Sequence, residues 1–522
     1  MSDTTPVSYG QMISGSAWTI TMRWSIRVIG LMSTAILARV LTPEDFGLVA
    51  MSSMAIGLIQ TFSELGTARL LIRIESPERS HYDTAWTISL LQSIVIAGII
   101  FVGADLAARY FSEPRVSSVI RWCALTSIIS GVANIGIINL RKELQFRKDF
   151  IFGLCCKLSV ALSTVPLALY LRSYWALVAG GIAAGLINVG LSYVFSPYRP
   201  RLSLERWPEF LRFSLWITPS NLASYFLQRL DTLVVGAVTS TTQLGLYHFA
   251  SEVSKMATGE IIIPMGRVLY PTYAKLISDR NKLARAYLNV VRTTAIVCFA
   301  VGPGLAVVAD DFVHVLLGEQ WVFAVPLVRF LAISGALASI VFVLRDQIFI
   351  VTGNERLSFW LYAIQLAIAA PTLIIVGRSR GVVDLAASTT VLAMIFVLIA
   401  AVNVRRAVPI SFGSVLATFV RPLLAALAMV YIVQLLHWDS LGVRPLTLTL
   451  DVVVGAVVYI STLLLVWRLT GRPEGPESGL VDLVKARIAS KRGHSDGVVD
   501  TSSSPPLDPE TSKADRSSDE QS

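Results

Sequence analysis

Residues 85–104 read AWTISLLQSIVIAGIIFVGA. These positions carry no charged side chain. A helix rises about 1.5 Å per residue, so the run is about 30 Å long, the thickness of a bilayer's hydrocarbon core. An open strand cannot satisfy its backbone in lipid, so the run reads as a membrane helix. Similar runs lie near 15–38, 48–65, 118–139, 151–170, 174–194, 213–236, 244–266, 287–309, 321–344, 357–376, 382–404, 415–436 and 447–469. Together they predict an all-α integral membrane protein of about fourteen transmembrane helices.

Composition agrees. Of 522 residues, 54% are hydrophobic and 15% charged, against roughly 25% charged in soluble proteins. With Gly at 34 and Cys at 4, collagen-like and disulfide-scaffold classes are excluded. Cys123, Cys155, Cys156 and Cys298 all lie inside apolar runs and read as packing residues. The first 14 residues lack Lys and Arg, which argues against a cleavable signal.

The net charge is +9, yet residues 470–522 hold 7 basic and 10 acidic residues, so the rest of the chain carries +12. The excess sits in short loops. With the N-terminus inside, the inner loops hold 20 Lys/Arg and the outer loops 7. The positive-inside rule then predicts cytoplasmic N- and C-termini. Contact with membrane lipids, not nucleic acid, accounts for the basic balance. No outer loop exceeds about 13 residues, which leaves no room for an outer catalytic domain. Residues 480–492 read as a short amphipathic helix on the inner leaflet, and the tail beyond Gly493 as disordered.

A weak repeat appears at an offset of 198. Ser16, Trp18, Thr34, Val40, Gly47, Leu48, Ser53 and Arg69 match Ser214, Trp216, Thr232, Val238, Gly245, Leu246, Ser251 and Arg267. An offset of six helices preserves direction across the membrane and predicts two parallel six-helix lobes around a central cavity. The expected organisation is 1–200 (N-lobe, helices one to six), 201–412 (C-lobe, helices seven to twelve), 413–469 (two appended helices) and 470–522 (cytoplasmic tail).

Charges inside apolar runs are costly and ask for a function. Arg23 and Arg27 lie four apart on one face of the first run. Glu64 in the second run is a possible partner. The seventh run holds Arg229 and Asp231, and the eighth Glu252 and Lys255 three apart. An Asp231–Lys255 pair is conceivable, whereas Arg229 and Asp231 are poorly placed for each other. Lys157 is a further cavity candidate. Arg345 and Asp346 read as an interface pair, and Arg121 and Arg329 as snorkelling side chains. The cationic balance favours a phosphate or carboxylate ligand. Carboxylates in such a cavity are candidates for carrying protons. The opposing reading is that these charges are ion pairs locking helices together.

Motifs for chemistry are missing from the sequence. There is no G-x-x-x-x-G-K-[ST], G-x-S-x-G or H-E-x-x-H, and the five histidines lack metal-ligand spacing. The reading is therefore of no enzyme, no catalytic residue, no metal and no cofactor.

Three segments carry a family resemblance. Residues 36–66 read ILARVLTPEDFGLVAMSSMAIGLIQTFSELG, with Leu41-Thr42-Pro43-Glu44-Asp45-Phe46-Gly47 the most specific piece. The others are Asn139–Arg147 (NLRKELQFR) and Gln228–Gly236 (QRLDTLVVG), the latter followed by Leu244-Gly245-Leu246-Tyr247. This resembles the polysaccharide and lipopolysaccharide exporters of the multidrug/oligosaccharidyl-lipid/polysaccharide flippase superfamily, in particular the colanic acid and succinoglycan exporter branch. The resemblance spans roughly residues 10–430. It implies V-shaped two-lobe packing and a place in the bacterial inner membrane. It implies movement of an undecaprenyl-diphosphate-linked oligosaccharide to the periplasmic leaflet by alternating access. The role of holding the diphosphate or sugar would fall to Arg23, Arg27, Lys157, Arg229 and Lys255, and ion coupling to Glu64, Asp231 and Glu252. Expected partners are the lipid-linked oligosaccharide, membrane lipids and a polysaccharide polymerase or export machinery. Two other readings stay open: a multidrug or small-metabolite cation antiporter on the same fold, and a membrane glycosyltransferase, which the short outer loops disfavour.

Overall fold

A computed structural model describes residues 28–63, 77–143, 145–436 and 443–471, with Ile26, Leu71 and Ile74. By internal contacts the chain divides into 1–466 and 467–522. The long helices are α1 (Val28–Val40), α2 (Pro43–Ser63), α3 (Arg79–Tyr110), α4 (Arg115–Gly131), α5 (Phe146–Leu171), α6 (Trp175–Phe195) and α7 (Trp207–Val238). There follow α8 (Thr241–Leu276), α9 (Arg280–Val307), α10 (Val325–Val351), α11 (Glu355–Ser379), α12 (Val382–Asn403), α13 (Phe412–Leu436) and α14 (Arg444–Leu469). Each overlaps one of the apolar runs. Nine spans among the described residues are long and apolar enough to cross a membrane. The chain is a multi-pass, all-α membrane protein.

The Leu41–Gly47 segment shows how local chemistry sets the packing. Thr42 caps α2: its Oγ1 accepts from the Asp45 amide at 3.2 Å, and Asp45 Oδ2 accepts from the Thr42 amide at 3.0 Å. Pro43 takes the first helical position, where its missing N–H costs nothing. Glu44 and Asp45 suit the positive end of the helix dipole. Asp45 Oδ1 also accepts from the Tyr174 amide at 2.9 Å, tying α2 to the start of α6. Asp45→Ala removes both the reciprocal cap and this tie. We expect a loss of about 2 kcal/mol, one for each, read as a lower midpoint of thermal unfolding in detergent. Asp45→Asn retains one acceptor oxygen, enough for the cap or the tie but not both, and is expected to lose less.

Phe46 meets Trp321 edge-on at 5.3 Å and Phe249 at 5.9 Å. Trp321 is fully buried and donates its indole N–H to the Ala38 carbonyl at 2.7 Å. The short 3-10 turn before α10 therefore caps the end of α1. Phe111, just after α3, packs on Gly236 near the end of α7. A Cβ at Gly236 would lie 2.7 Å from its ring.

The crossing of α2 and α8 is backbone on backbone. A Cβ at Gly47 would stand 2.0 Å from the Thr241 carbonyl oxygen. One at Gly245 would stand 1.8 Å from the Pro43 carbonyl oxygen. Gly47 and Gly245 are 198 apart, and so are Pro43 and Thr241. The contact is reciprocal, as a two-fold relation between repeats requires. Small residues permit this approach where lipid supplies no hydrophobic drive between helices. Nearby, Arg115 pairs with Glu44 at 2.5 Å and with Glu113 at 2.8 Å. The Arg115 bond holds the Glu113 carboxyl below its ordinary pKa. Thr241 donates to Glu113 at 3.2 Å, so polar contacts surround the glycine crossing.

Residues 196–206, which link α6 to α7, are stitched to the first turns of α3. Asp83 accepts from the Tyr198 hydroxyl and from the Arg201 amide at 3.0 Å. Thr87 Oγ1 accepts from the Ser203 amide at 2.9 Å, and Arg206 pairs with Glu78 at 3.0 Å. At the C-terminal side, α13 and α14 pack on α9. Tyr459 donates to the Ile296 carbonyl at 2.6 Å beside Ala425, Ala426, Met429 and Leu463.

Candidate functional site

The helices after residue 207 line an open cavity of about 650 Å³, within the range typical of ligand sites. Its walls come from α7, α8, α10, α11 and α12. Charge enters it because α7 and α8 carry polar side chains on their facing sides. Arg229 and Asp231 line it from α7, and Lys255 from α8.

Each charge has a distinct setting. Arg229 Nη1 lies 3.2 Å from Glu252 Oε1, with the two side chains 35% and 44% exposed. Such a pair is reachable by water or ligand, and its stabilising effect is modest. Asp231 accepts from the fully buried Tyr247 hydroxyl at 3.2 Å and from Thr232 at 3.1 Å. Among the described residues no ion pair joins Asp231 to Lys255, and no partner holds Lys255. Its ammonium is therefore available to a ligand. Several hydroxyls in the wall, such as Ser254 and Ser339, donate to the carbonyl one turn back at 2.7 and 2.9 Å. Their lone pairs remain as acceptors for ligand hydroxyls.

Arg345 is a wall residue too, only 3% exposed. It donates to Gln365 Oε1 at 2.8 Å and lies over the Tyr362 ring at 3.6 Å. Stacking and the amide fix the guanidinium plane. The expected interface role is partly met, since these contacts join α10 to α11. The added finding is that Arg345 also faces the cavity. The Asp346 side chain lies outside the described residues.

The structure thus gathers Arg229, Asp231 and Lys255 around one cavity and brings Glu252 in through its ion pair. Lys157 is elsewhere: its Nζ reaches to 3.6 Å from the place of a Cβ on Gly30, so it packs α5 on α1. Arg23, Arg27 and Glu64 lie outside the described residues. Arg121 differs from expectation: it bonds both oxygens of Asp105, at 2.9 and 2.8 Å, and so pairs as well as reaching outward. Among the described residues no cluster of His, Cys, Asp and Glu is arranged to hold a metal ion.

The family model described as "Polysaccharide biosynthesis protein" matches residues 36–326, more than half of the chain. The chain belongs to this family. Among similar proteins, the lipopolysaccharide biosynthesis protein WzxC of Escherichia coli (strain K12) is 25% identical over 379 residues, covering 71% of this chain and 76% of that protein. The succinoglycan biosynthesis transport protein ExoT of Rhizobium meliloti (strain 1021) is 24% identical over 487 residues, covering 90% and 95%. Among solved structures, the lipid II flippase MurJ in an inward closed conformation superposes with a TM-score of 0.70 at 13% identity, over 87% of this chain and 99% of that one. An inward-facing multidrug resistance MATE family transporter gives a TM-score of 0.55 at 16% identity, over 73% and 95%. These two structural likenesses show a shared fold. The family match and these relatives bear out the exporter resemblance drawn from Leu41–Gly47, Asn139–Arg147 and Gln228–Gly236.

Proposed function

We propose that this family member is a flippase. It moves an undecaprenyl-diphosphate-linked oligosaccharide from the cytoplasmic to the periplasmic leaflet for exopolysaccharide or lipopolysaccharide synthesis. The observation that carries this is a hydroxyl-rich cavity of about 650 Å³ inside a membrane bundle, with Arg229 and Lys255 in its wall. Hydroxyl acceptors suit sugar hydroxyls, and cations in low dielectric suit a diphosphate. The names of WzxC and ExoT support the polysaccharide context.

In this reading the lobes 1–200 and 201–412 alternate access between the two faces, with 413–469 appended and 470–522 as a cytoplasmic tail. Arg229 and Lys255 hold the charged head of the substrate from the cavity wall, and Arg23 and Arg27 of the first apolar run share that role, whereas Lys157 packs against α1. Glu64, Asp231 and Glu252 couple movement to an ion gradient. The protein sits in the inner membrane with both termini cytoplasmic, and it catalyses no covalent step. A polymerase or export machinery receives the product.

A deletion strain tests the assignment. Lipid extracts are expected to accumulate the diphosphate-linked oligosaccharide while surface polysaccharide disappears. Unchanged levels of both would contradict it. The MATE likeness keeps one competitor, a cation antiporter. Energised uptake of a cationic dye by the purified protein would favour that reading.

A further inference from the structure

Arg345 and Gln365 form a polar wall of their own in the cavity. They are 3% and 5% exposed, and both line the space. Arg345 Nη1 donates to Gln365 Oε1 at 2.8 Å. A guanidinium holds no acceptor, so this bond decides how the carboxamide lies: its oxygen meets Arg345 and its NH2 turns away. That NH2 has no hydrogen-bond partner among the described residues. A polar group so deeply buried asks for one. Tyr362, one turn before Gln365 on α11, carries the guanidinium 3.6 Å from its ring centroid and so positions it. The wall therefore offers the cavity donors backed by a positive charge. It also stands apart from the other cations. α8 meets α10 where a Cβ at Gly335 would stand 3.4 Å from the Ser254 carbonyl oxygen, and Lys255 follows Ser254. From Gly335 to Arg345 the helix rises about 15 Å, and the guanidinium is anchored on α11. The group that meets this wall is therefore not the one that meets Lys255.

We propose that Arg345 and Gln365 form a second subsite, which reads a carboxylate on the glycan, so that the transported oligosaccharide carries a sugar acid. The inference deepens the flippase reading and rests on it. Arg229 and Lys255 take the diphosphate at the α7–α8 side, and the sugar acid lies against the α10–α11 wall. A carboxylate only accepts hydrogen bonds, and this wall donates them. A neutral sugar hydroxyl accepts from Gln365 as well. The guanidinium beside it shifts the preference to a carboxylate, because charge-assisted bonds are roughly twice as strong as neutral ones. Arg345 and Gln365 thus set specificity, and Tyr362 acts through Arg345 as a positioning residue. The cavity as a whole matches a ligand with two separated acidic ends, a diphosphate and a sugar acid.

Two measurements test this. In the deletion strain, mass spectrometry of the accumulated lipid-linked oligosaccharide is expected to find a carboxyl-bearing sugar. A wholly neutral glycan would overturn the proposal while leaving the flippase reading intact. The second measurement uses the full-length protein in nanodiscs with three probes: glucuronate, glucose and inorganic pyrophosphate. Wild type is expected to bind glucuronate about tenfold more tightly than glucose. It should still bind glucuronate when pyrophosphate saturates its own site. In Gln365→Glu the new carboxylate pairs with Arg345 and repels the probe, so glucuronate affinity should fall about tenfold, to that of glucose. Its thermal midpoint and its binding of pyrophosphate report that the cavity is intact. A Gln365→Glu protein that binds glucuronate as wild type does would overturn the proposal. So would wild-type affinity for glucuronate no greater than for glucose, or displacement of glucuronate by pyrophosphate. These results leave the flippase reading standing, since pyrophosphate is still bound. A wild type that binds neither glucuronate nor pyrophosphate would overturn the subsite together with the anion chamber.

Discussion

Gly245→Ala is expected to break the α2–α8 crossing. The added carbon would sit 1.8 Å from the Pro43 carbonyl oxygen and 2.9 Å from the Gly47 nitrogen. Both obstacles are backbone, so no rotamer change relieves the clash. Ordinary overpacking costs about 1–3 kcal/mol, and this clash is closer than any that side-chain motion absorbs. The helices must separate, and the Phe46–Trp321–Phe249 aromatic cluster must shift with them. We expect a sharp fall in folded protein recovered from membranes and a thermal midpoint well below wild type. Gly47→Ala should behave alike, because its obstacle is the Thr241 carbonyl at 2.0 Å. Gly103→Ala is the control: nothing lies within 4 Å of its Cβ position, so its midpoint should match or exceed that of wild type. A Gly245→Ala protein as stable as Gly103→Ala would refute the crossing.

Lys255→Glu is expected to have the largest effect on transport with little effect on folding. Lys255 lines the cavity with no partner among the described residues, so its replacement strands no other group. A charge pair at about 4 Å is worth about 4 kcal/mol at an effective dielectric of about 20. Lys255 is exposed, and screening reduces that figure. The loss of even half of it, about 2 kcal/mol, corresponds to about thirtyfold weaker anion binding, and the new repulsion adds to that. Surface polysaccharide in a complemented deletion strain should fall to the level of the empty vector, at wild-type amounts of membrane protein. Lys255→Gln should fall between the two. Wild-type polysaccharide from Lys255→Glu would remove this side chain from substrate contact.

Much of the fold was legible because lipid imposes a simple rule. Each apolar run overlaps a long helix, since about 20 apolar residues have few other solutions in a bilayer. The Leu41–Gly47 motif was visible, and its physical content is now clear: a cap, an acidic first turn, an aromatic wedge and a close backbone crossing. The repeat was faint in identities, because most lipid-facing positions are interchangeable. It persists where geometry leaves no choice, at Gly47 and Gly245.

The site was legible only where charge stood out. Arg229, Asp231, Lys255 and Glu252 were conspicuous in apolar runs. Which carboxylate meets which cation was not readable. One residue turns a helix by about 100°, so a small error of phase changes the partner. Arg229 pairs with Glu252, whereas Asp231 bonds Tyr247 and Thr232. The wall residues Tyr362 and Gln365 gave no signal, since each is common and meets Arg345 only across helices. Lys157 stood out by charge as well, yet it lies over Gly30. A cation in an apolar run marks a place that needs explaining, and packing is one explanation.

Translocation itself is the most direct test. Purified protein is reconstituted into liposomes carrying a labelled undecaprenyl-diphosphate-linked oligosaccharide in both leaflets. A membrane-impermeant glycosidase is then added outside. With the protein present, digestion is expected to proceed from the outer half to near completion, and the Lys255→Glu protein should stop at half. Digestion that stops at half with wild-type protein, under an imposed ion gradient of either direction, would contradict the account.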